Sequence, residues 1–445
     1  MKATAFKFIA RVTLAVALSS SSLANASTPD APRLGELVPS LDRKTLKQQE
    51  AAGRDKLRVL LDNPAGQDIQ LIRANPAIVS EATKLFSVPL PDGRQPKFQL
   101  RHYTPPESPS DSGVPGKRPK YTPAAYWFGY KEPDEKAPSP IASSDNVDAS
   151  NFIFLARRGD SLRGRMVVNG QLYLLEDVGN GQHGFMKIDE AQGLPCMVLE
   201  NEPNGQEHAT GAISPVSDIK AEHEIGVLLV TTQRANELTN PSAVDIMMDE
   251  IRYFSEMGNQ GYGLSLKLNV ASPFASEAQD SAGHASKDIL DDFRNMKTPA
   301  TQHVAELRES ARADVVIVGA YNVEAKEVTY QEARKDTAFY VFNVKAPQYF
   351  FHGFGHLMGV RHVWKDGDMD LDPPYQHGFL SKEFEGKCYA SIGFDPIDCV
   401  APGCEIIHRW SDPNLNMRFG RFGDPQHSDE IRYLNERAAE IESFY

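Results

Sequence analysis

His352-Gly353-Phe354-Gly355-His356-Leu357-Met358-Gly359-Val360-Arg361-His362 is the stretch on which the reading of this chain turns. It sets three histidines at i, i+4 and i+10, with a glycine at i+7. On a helix, positions i and i+4 lie one turn apart and about 40° apart in rotation, so His352 and His356 present their imidazoles to one point. Phe350, Phe354, Leu357 and Met358 fall on the other side, so one face can be buried while the other ligates. Gly359 can take the left-handed conformation that ends a helix. The turn then brings His362 back beneath it as a third nitrogen ligand. Three protein ligands with an open fourth position describe a catalytic zinc rather than a closed structural one. With 12 histidines among 445 residues, the pattern arises by chance on the order of once in a thousand such chains.

The stretch resembles the zinc signature of the metzincin metallopeptidases, H-E-x-x-H-x-x-G-x-x-H. The resemblance implies that His352, His356 and His362 are the zinc ligands. Every motif position matches except the second, where Gly353 replaces the glutamate that takes a proton from the zinc-bound water. The general-base position is therefore empty of a side chain, and no catalytic residue is assigned there. A glutamate restored at 353 is expected to fit, since the helix face and all three ligands match the active pattern. Metzincins also place a methionine-containing turn beneath the zinc. The matching segment is Ala390-Ser391-Ile392-Gly393-Phe394-Asp395, with Ile392 at the methionine position. Arg409-Trp410-Ser411-Asp412-Pro413 and a closing helix with the stripe Ile431, Leu434, Ala438 and Ile441 are similar to the family's C-terminal part. The resemblance covers roughly the last 230 residues and points to secreted bacterial reprolysin-like or peptidyl-Asp metalloendopeptidase types.

Upstream of the motif the order is alternating strand and helix. Ile225 to Thr232 and Val315-Val316-Ile317-Val318 read as buried strands, and Leu264 to Val270 alternates as another. Ser242 to Met257 is an amphipathic helix with Ser242 as its cap, and Asp288 to Arg312 is helical with an interruption at Pro299. Ala338 to Phe342 is a last strand before the histidine helix, which Pro347 opens at its first turn. This order predicts a mostly parallel sheet covered by helices, an α/β (α+β) metzincin-like domain spanning 216–445.

The preceding 27–215 reads as a β-rich, propeptide-like domain. Leu41 to Leu61 carries helical signals. Residues 103–150 are rich in Pro, Ser and Asp and read as a loop or linker, with Tyr126-Trp127-Phe128 as a local anchor. Residues 151–190 read as a β-meander, with Asn169-Gly170 a strong hairpin turn. Residues 200–215 read as a linker. Gly193-Leu194-Pro195-Cys196-Met197-Val198 closes this region. In several metzincins a propeptide cysteine after proline supplies a thiolate as fourth zinc ligand, which implies a zymogen switch at Cys196. A buried or disulfide-bonded cysteine is the plainer reading of the same residue.

Lys2, Lys7 and Arg11, then Val12 to Leu18, then Ala24-Asn25-Ala26 predict a signal peptide over 1–26, hence a secreted or periplasmic protein. The apolar run is too short to span a membrane. Net charge of −13 and a pI near 5.5 argue against nucleic-acid or anionic-membrane partners. An oxidising compartment permits a disulfide, and one pair is expected among Cys388, Cys399 and Cys404. Asp366-Gly367-Asp368-Met369-Asp370-Leu371-Asp372 has the oxygen ligands that Ca2+ takes, although a solvated acidic loop is the preferred reading. Two functions follow. One is a zinc-binding pseudoprotease that holds protein or peptide without cutting it. The other is a working zinc metalloendopeptidase with residual zinc-only catalysis or a substitute base such as Asp366 or Asp368. The sequence leaves the oligomeric state open.

Overall fold

Between Asn151 and Ile188 apolar residues alternate with turns that need left-handed backbone. Asn169 and Gly170 take φ of 51° and 80°, the type I′ geometry whose twist matches two antiparallel strands. In the computed structural model the residues described are 31–107, 121–133, 148–201, 222–259, 263–281, 283, 285–365, 373–395 and 403–445. The expected signal peptide 1–26, the Asp366–Asp372 loop with its candidate calcium ligands and candidate bases Asp366 and Asp368, Cys399, and most of the 200–215 linker lie outside them. The fold of the described residues is mixed α+β, with a nine-stranded curled antiparallel sheet, a six-stranded sheet that contains parallel strands, and two small two-stranded sheets.

The first sheet has nine strands: β1 (Gly35–Leu37), β2 (Gly66–Ala74), β3 (Leu85–Ser87), β4 (Lys97–Thr104), β5 (Ala125–Lys131), β6 (Asn151–Arg158), β7 (Ser161–Val168), β8 (Gln171–Gly179) and β9 (Gln182–Ile188). Their order is β1-β2-β9-β8-β7-β6-β5-β4-β3. The two edges meet, because Leu34 N–H donates to Ser87 O at 2.8 Å and Ser87 N–H to Pro32 O at 2.9 Å. The sheet thus curls nearly closed, which leaves little exposed edge. Its inner face packs Phe86, Phe98, Trp127, Ile153, Leu155, Met166 and Phe185. The segment 103–150, read as loop, therefore holds the end of β4 and the whole of β5. Tyr126-Trp127-Phe128 lies in the middle of β5 between β4 and β6, and Trp127 is fully buried. Proline and serine on either side of β5 hid its short apolar run. The helix expected over 41–61 is broken into α1 (Arg43–Ala51) and α2 (Arg58–Leu61), with Gly53 at φ 105° between them.

The second sheet has the order β10-β14-β15-β13-β11-β12, built from β10 (Met197–Leu199), β11 (His223–Thr231), β12 (Leu266–Ala275), β13 (Val315–Ala320), β14 (Glu327–Tyr330) and β15 (Phe339–Asn343). β12, β11, β13 and β15 run parallel, β14 is antiparallel to β15, and β10 adds in parallel to β14. Strand β10 falls within 27–215 in the sequence, yet it completes the sheet of the second half. After β11 come α3 (Gln233–Leu238) and α4 (Ala243–Asn259); Ser242 caps α4, its Oγ accepting from Asp245 N–H at 3.2 Å. Then follow α5 (Ser286–Arg294) and α6 (Pro299–Ala311), with Pro299 at the first turn of α6. The run Val315 to Val318 is apolar throughout because both faces are covered. Val316 and Val318 pack with Ile289, Leu290 and Val304 of α5 and α6, while Val315 and Ile317 face α4 and the histidine helix.

That helix, α7 (Phe350–Met358), follows one 3-10 turn begun by Pro347, and every one of its residues is buried. α8 (Glu430–Ile441) closes the chain against it.

Candidate metal centre

Two aromatic residues of α7 fix its orientation. Phe350 and Phe354 stack at 6.1 Å and pack with Phe254 of α4, which turns His352 and His356 the other way. The helix stops at Gly359, φ 109°. Val360 N–H donates to Gly355 O at 2.8 Å and Gly359 N–H to His356 O at 2.9 Å, the paired bonds of a Schellman end. Gln331 Nε2 and Arg437 Nε donate to the last carbonyls, at Gly359 and Met358. A side chain at 359 would also strike the Tyr433 hydroxyl, so glycine serves both the turn and the packing. Beyond the turn, His377 Nδ1–H donates to His362 O at 2.8 Å and steadies the returning strand. His377 carried no role in the sequence reading.

The three histidines converge. His356 Nε2 lies 3.0 Å from His352 Nε2 and 3.1 Å from His362 Nε2. His352 Nδ1–H donates to Ile392 O at 2.9 Å, and His356 Nδ1–H to Val360 O at 2.7 Å. A carbonyl oxygen can only accept, so both Nδ1 atoms carry the proton and both Nε2 atoms carry a lone pair. Burial then holds both rings well below the usual histidine range, His356 at about 3. Neutral lone pairs facing one another at 3.0 Å repel unless a cation sits between them. Tetrahedral ligands at about 2.0 to 2.1 Å from zinc would stand about 3.3 Å apart. The donor set and its spacing therefore fit such an ion.

Cys196 joins them. One ligand atom from each of Cys196, His352, His356 and His362 lies within 4.8 Å of the others. The cysteine is placed by β10: Lys326 N–H donates to Pro195 O at 2.9 Å, and Met197 pairs with Val328. Cys196 is free, as is Cys388, while Cys404 is disulfide-bonded. Cys388 is therefore not part of the pair expected among the late cysteines. Ile392, at the methionine position, contributes its backbone carbonyl to His352 and a buried side chain to the floor.

Glu327, the first residue of β14, was not singled out from sequence. It is fully buried, and its Oε1 lies 3.9 Å from His352 Nε2. Both carboxylate oxygens are shut from solvent, with the Cys196 thiol beside them. Burial pushes this carboxyl up to about 7 and is opposed by Lys326. Burial, with the Glu327 charge second, pushes the Cys196 thiol up. A Cβ on Gly353 would lie 2.5 Å from Glu327 Cγ and 2.7 Å from the Tyr340 hydroxyl. The expectation that a glutamate at 353 would fit is thus overturned, since that space is filled. Gly355 makes room in the same way for Trp410. Lys326 Nζ holds Asp395 Oδ1 at 3.1 Å, and Asp395 Oδ2 stands 3.9 Å from His362 Nε2.

No protein-family model matches the chain. Three curated relatives do, each named peptidyl-Asp metalloendopeptidase. The protein of Stenotrophomonas maltophilia strain R551-3 is 24% identical over 443 residues, covering 95% of this chain and 96% of that one. That of strain K279a is 24% identical over 334 residues, covering 72% and 76%, and that of Xanthomonas campestris pv. campestris is 23% identical over 452 residues, covering 96% and 98%. The likeness supports a metallopeptidase family. It runs through both halves of the chain, the barrel as well as the histidine site. Among solved structures, metalloproteinase-II from Bacteroides fragilis aligns at a TM-score of 0.35 and 9% identity, covering 64% of this chain and 83% of that one, too loosely to carry an argument.

Proposed function

We propose that the protein is a secreted or periplasmic zinc metallopeptidase made in a latent form. Zinc is held by His352, His356 and His362, and the thiolate of Cys196 fills the fourth position. The observation that carries this reading is the convergence of three Nε2 atoms, those of His352 and His356 with free lone pairs, and the Cys196 sulfur, all within 4.8 Å of one another. Zinc bound there would polarise a peptide carbonyl and lower the pKa of a water. The residues 27–215 act as the propeptide, with the barrel as its body and β10 as the part that covers the site. When β10 leaves, the edge of β14 is open to an extended peptide, which would add as a strand. Protein or peptide is the substrate class, and the Asp366–Asp372 loop read as a possible Ca2+ site lies outside the described residues. A second reading is the pseudoprotease, favoured by the missing side chain at Gly353.

Metal analysis of the purified full chain tests the site. One zinc per chain is expected in the wild type and a fraction of that in His356→Ala. A wild-type chain purified gently and free of zinc would refute it. Cleavage of casein by the protease-treated chain separates the two readings, since the pseudoprotease binds without cutting.

A further inference from the structure

We propose that Glu327 and Gly353 are a transposed pair, in which the carboxylate that serves peptide hydrolysis hangs from strand β14 rather than from helix α7. This deepens the peptidase reading above and rests on it.

The space is the first argument. A Cβ at 353 would overlap Glu327 Cγ at 2.5 Å and Glu327 Cβ at 2.8 Å. The helix gives up a side chain at the one place where the strand supplies one. The environment is the second. A carboxylate buried without solvent or a basic partner against its oxygens is costly and calls for a function or a bound group. Both oxygens of Glu327 are enclosed, and Oε1 is 3.9 Å from the face of the histidine cluster at His352 Nε2. The support is the third. Glu327 is pinned opposite Phe342 in the β14–β15 ladder, and Tyr340 is locked by donating its hydroxyl to Phe350 O at 3.3 Å. The carboxylate therefore sits on a rigid strand, as positioning demands. Cys196 stands beside it, so the residue that closes the site also covers the base.

The step balances without any further reagent. A water oxygen forms a bond to the peptide carbonyl carbon and gives one proton to Glu327. The carbon–nitrogen bond then breaks as Glu327 returns that proton to the leaving amine.

A swap experiment on the full chain tests the pair with two readouts. The first is thermal stability after metal removal. Gly353→Glu alone and Glu327→Gly alone should each lower the melting temperature by several degrees, the first through overpacking and the second through an unfilled space. The double variant Glu327→Gly/Gly353→Glu should regain most of both losses. Losses that simply add would mean that the two positions do not share one space, and would overturn the pairing. The second readout compares zinc content with peptide cleavage after limited trypsin treatment. Glu327→Gln, which keeps size and shape, should retain one zinc and lose about 10²-fold or more in rate. Zinc lost along with activity would make Glu327 a ligand and overturn the base role. Full activity in Glu327→Gln, or zinc-loaded wild type that cleaves nothing, would overturn it as well. A wild type that binds no zinc sinks the peptidase reading instead, and the stability cycle still reports on the pair.

Discussion

Along helix α4 the barrel meets the second half of the molecule through ion pairs closed off from water, whereas over the histidines it sends only three residues of β10 and one cysteine. In the first place Arg158 holds Asp249 at 2.7 Å and Asp245 at 3.3 Å, Arg163 spans Glu176, Asp249 and Glu250, and Arg165 closes on Glu250. Tyr253 sits among these groups, against Phe152 and Phe154 of the barrel on one side and Phe351 of α7 on the other. In the second place β10 has one paired edge, on β14, and its residues are only partly buried. Buried ion pairs add little net stability but penalise any loss of a partner and any wrong seating. A three-residue edge strand is held by a few backbone bonds and peels readily. In the latent form proposed above, the seat that positions the barrel and the stopper that closes the site would be separate devices, one released while the other holds.

The largest expected effect comes from breaking the seat. Arg165→Ala leaves Glu250 buried beside Asp249 with one cation fewer, and should cost about 3 to 5 kcal/mol in denaturant unfolding. Joint replacement of Arg165 and Glu250 by apolar residues of similar volume should cost much less. An equal loss would mean that packing against Tyr253, 4.2 Å beneath the Arg165 guanidinium, outweighs the charge. Next comes metal. At a free zinc concentration about 100 times Kd, binding adds about 2.7 kcal/mol, so chelator should lower the melting temperature of the intact chain. An unchanged curve would detach the histidines from stability altogether.

Cys196→Ala tests the stopper and should cost about 1 kcal/mol or less, with the seat untouched. In cobalt-loaded protein it should abolish the near-ultraviolet thiolate-to-metal band while the three histidines keep the ion. A band that survives would place the sulfur elsewhere. The last effect, one of pH, lies under the floor of the site. Glu430 is buried, which pushes its carboxyl up to about 7 against hydrogen bonds from Ser391 and Ser411. A carboxyl raised in the folded state contributes stability below its unfolded value of 4.5, and this is lost as pH rises through about 7. Wild type should therefore weaken over that window by at most about 1.4 kcal/mol per pH unit from this group. Glu430→Gln should flatten the slope without altering the seat, as urea titrations at pH 5 and 8 would register.

The histidine helix was legible because its information lies in eleven consecutive residues, where helical geometry alone joins His352 to His356 and Gly359 forces the return of His362. The two-face burial of Val315 to Val318 was legible for the same local reason. Glu327 was not. It stands 25 positions before His352, and only the antiparallel register of β14 on β15 brings it under Gly353. Nothing in composition marks that register, although a buried glutamate in the apolar strand Glu327-Val328-Thr329-Tyr330 is the kind of mismatch that points to a site. Strand β5 was missed because its flanks dominate any average taken over 103–150. The Pro195-Cys196 step was visible, but its place over the histidines depends on β10 joining a sheet whose other strands begin at His223.

The order of strands also has a consequence for biosynthesis. Every strand of the barrel pairs with partners found between Gly35 and Ile188, β6 to β9 through two-residue hairpins and β2 with β9 across more than a hundred residues, so this half can fold while the remainder is still being made. The second sheet needs parallel pairings such as β11 with β13, nearly ninety residues apart, and such long-range closure is slow and exposes apolar edges meanwhile. When α4 emerges, the arginines of β6 and β7 are already fixed in space to receive its acidic face. The barrel thus works as a mould for the half that follows it, and a chain lacking residues 32–188 should aggregate on refolding where the full chain does not.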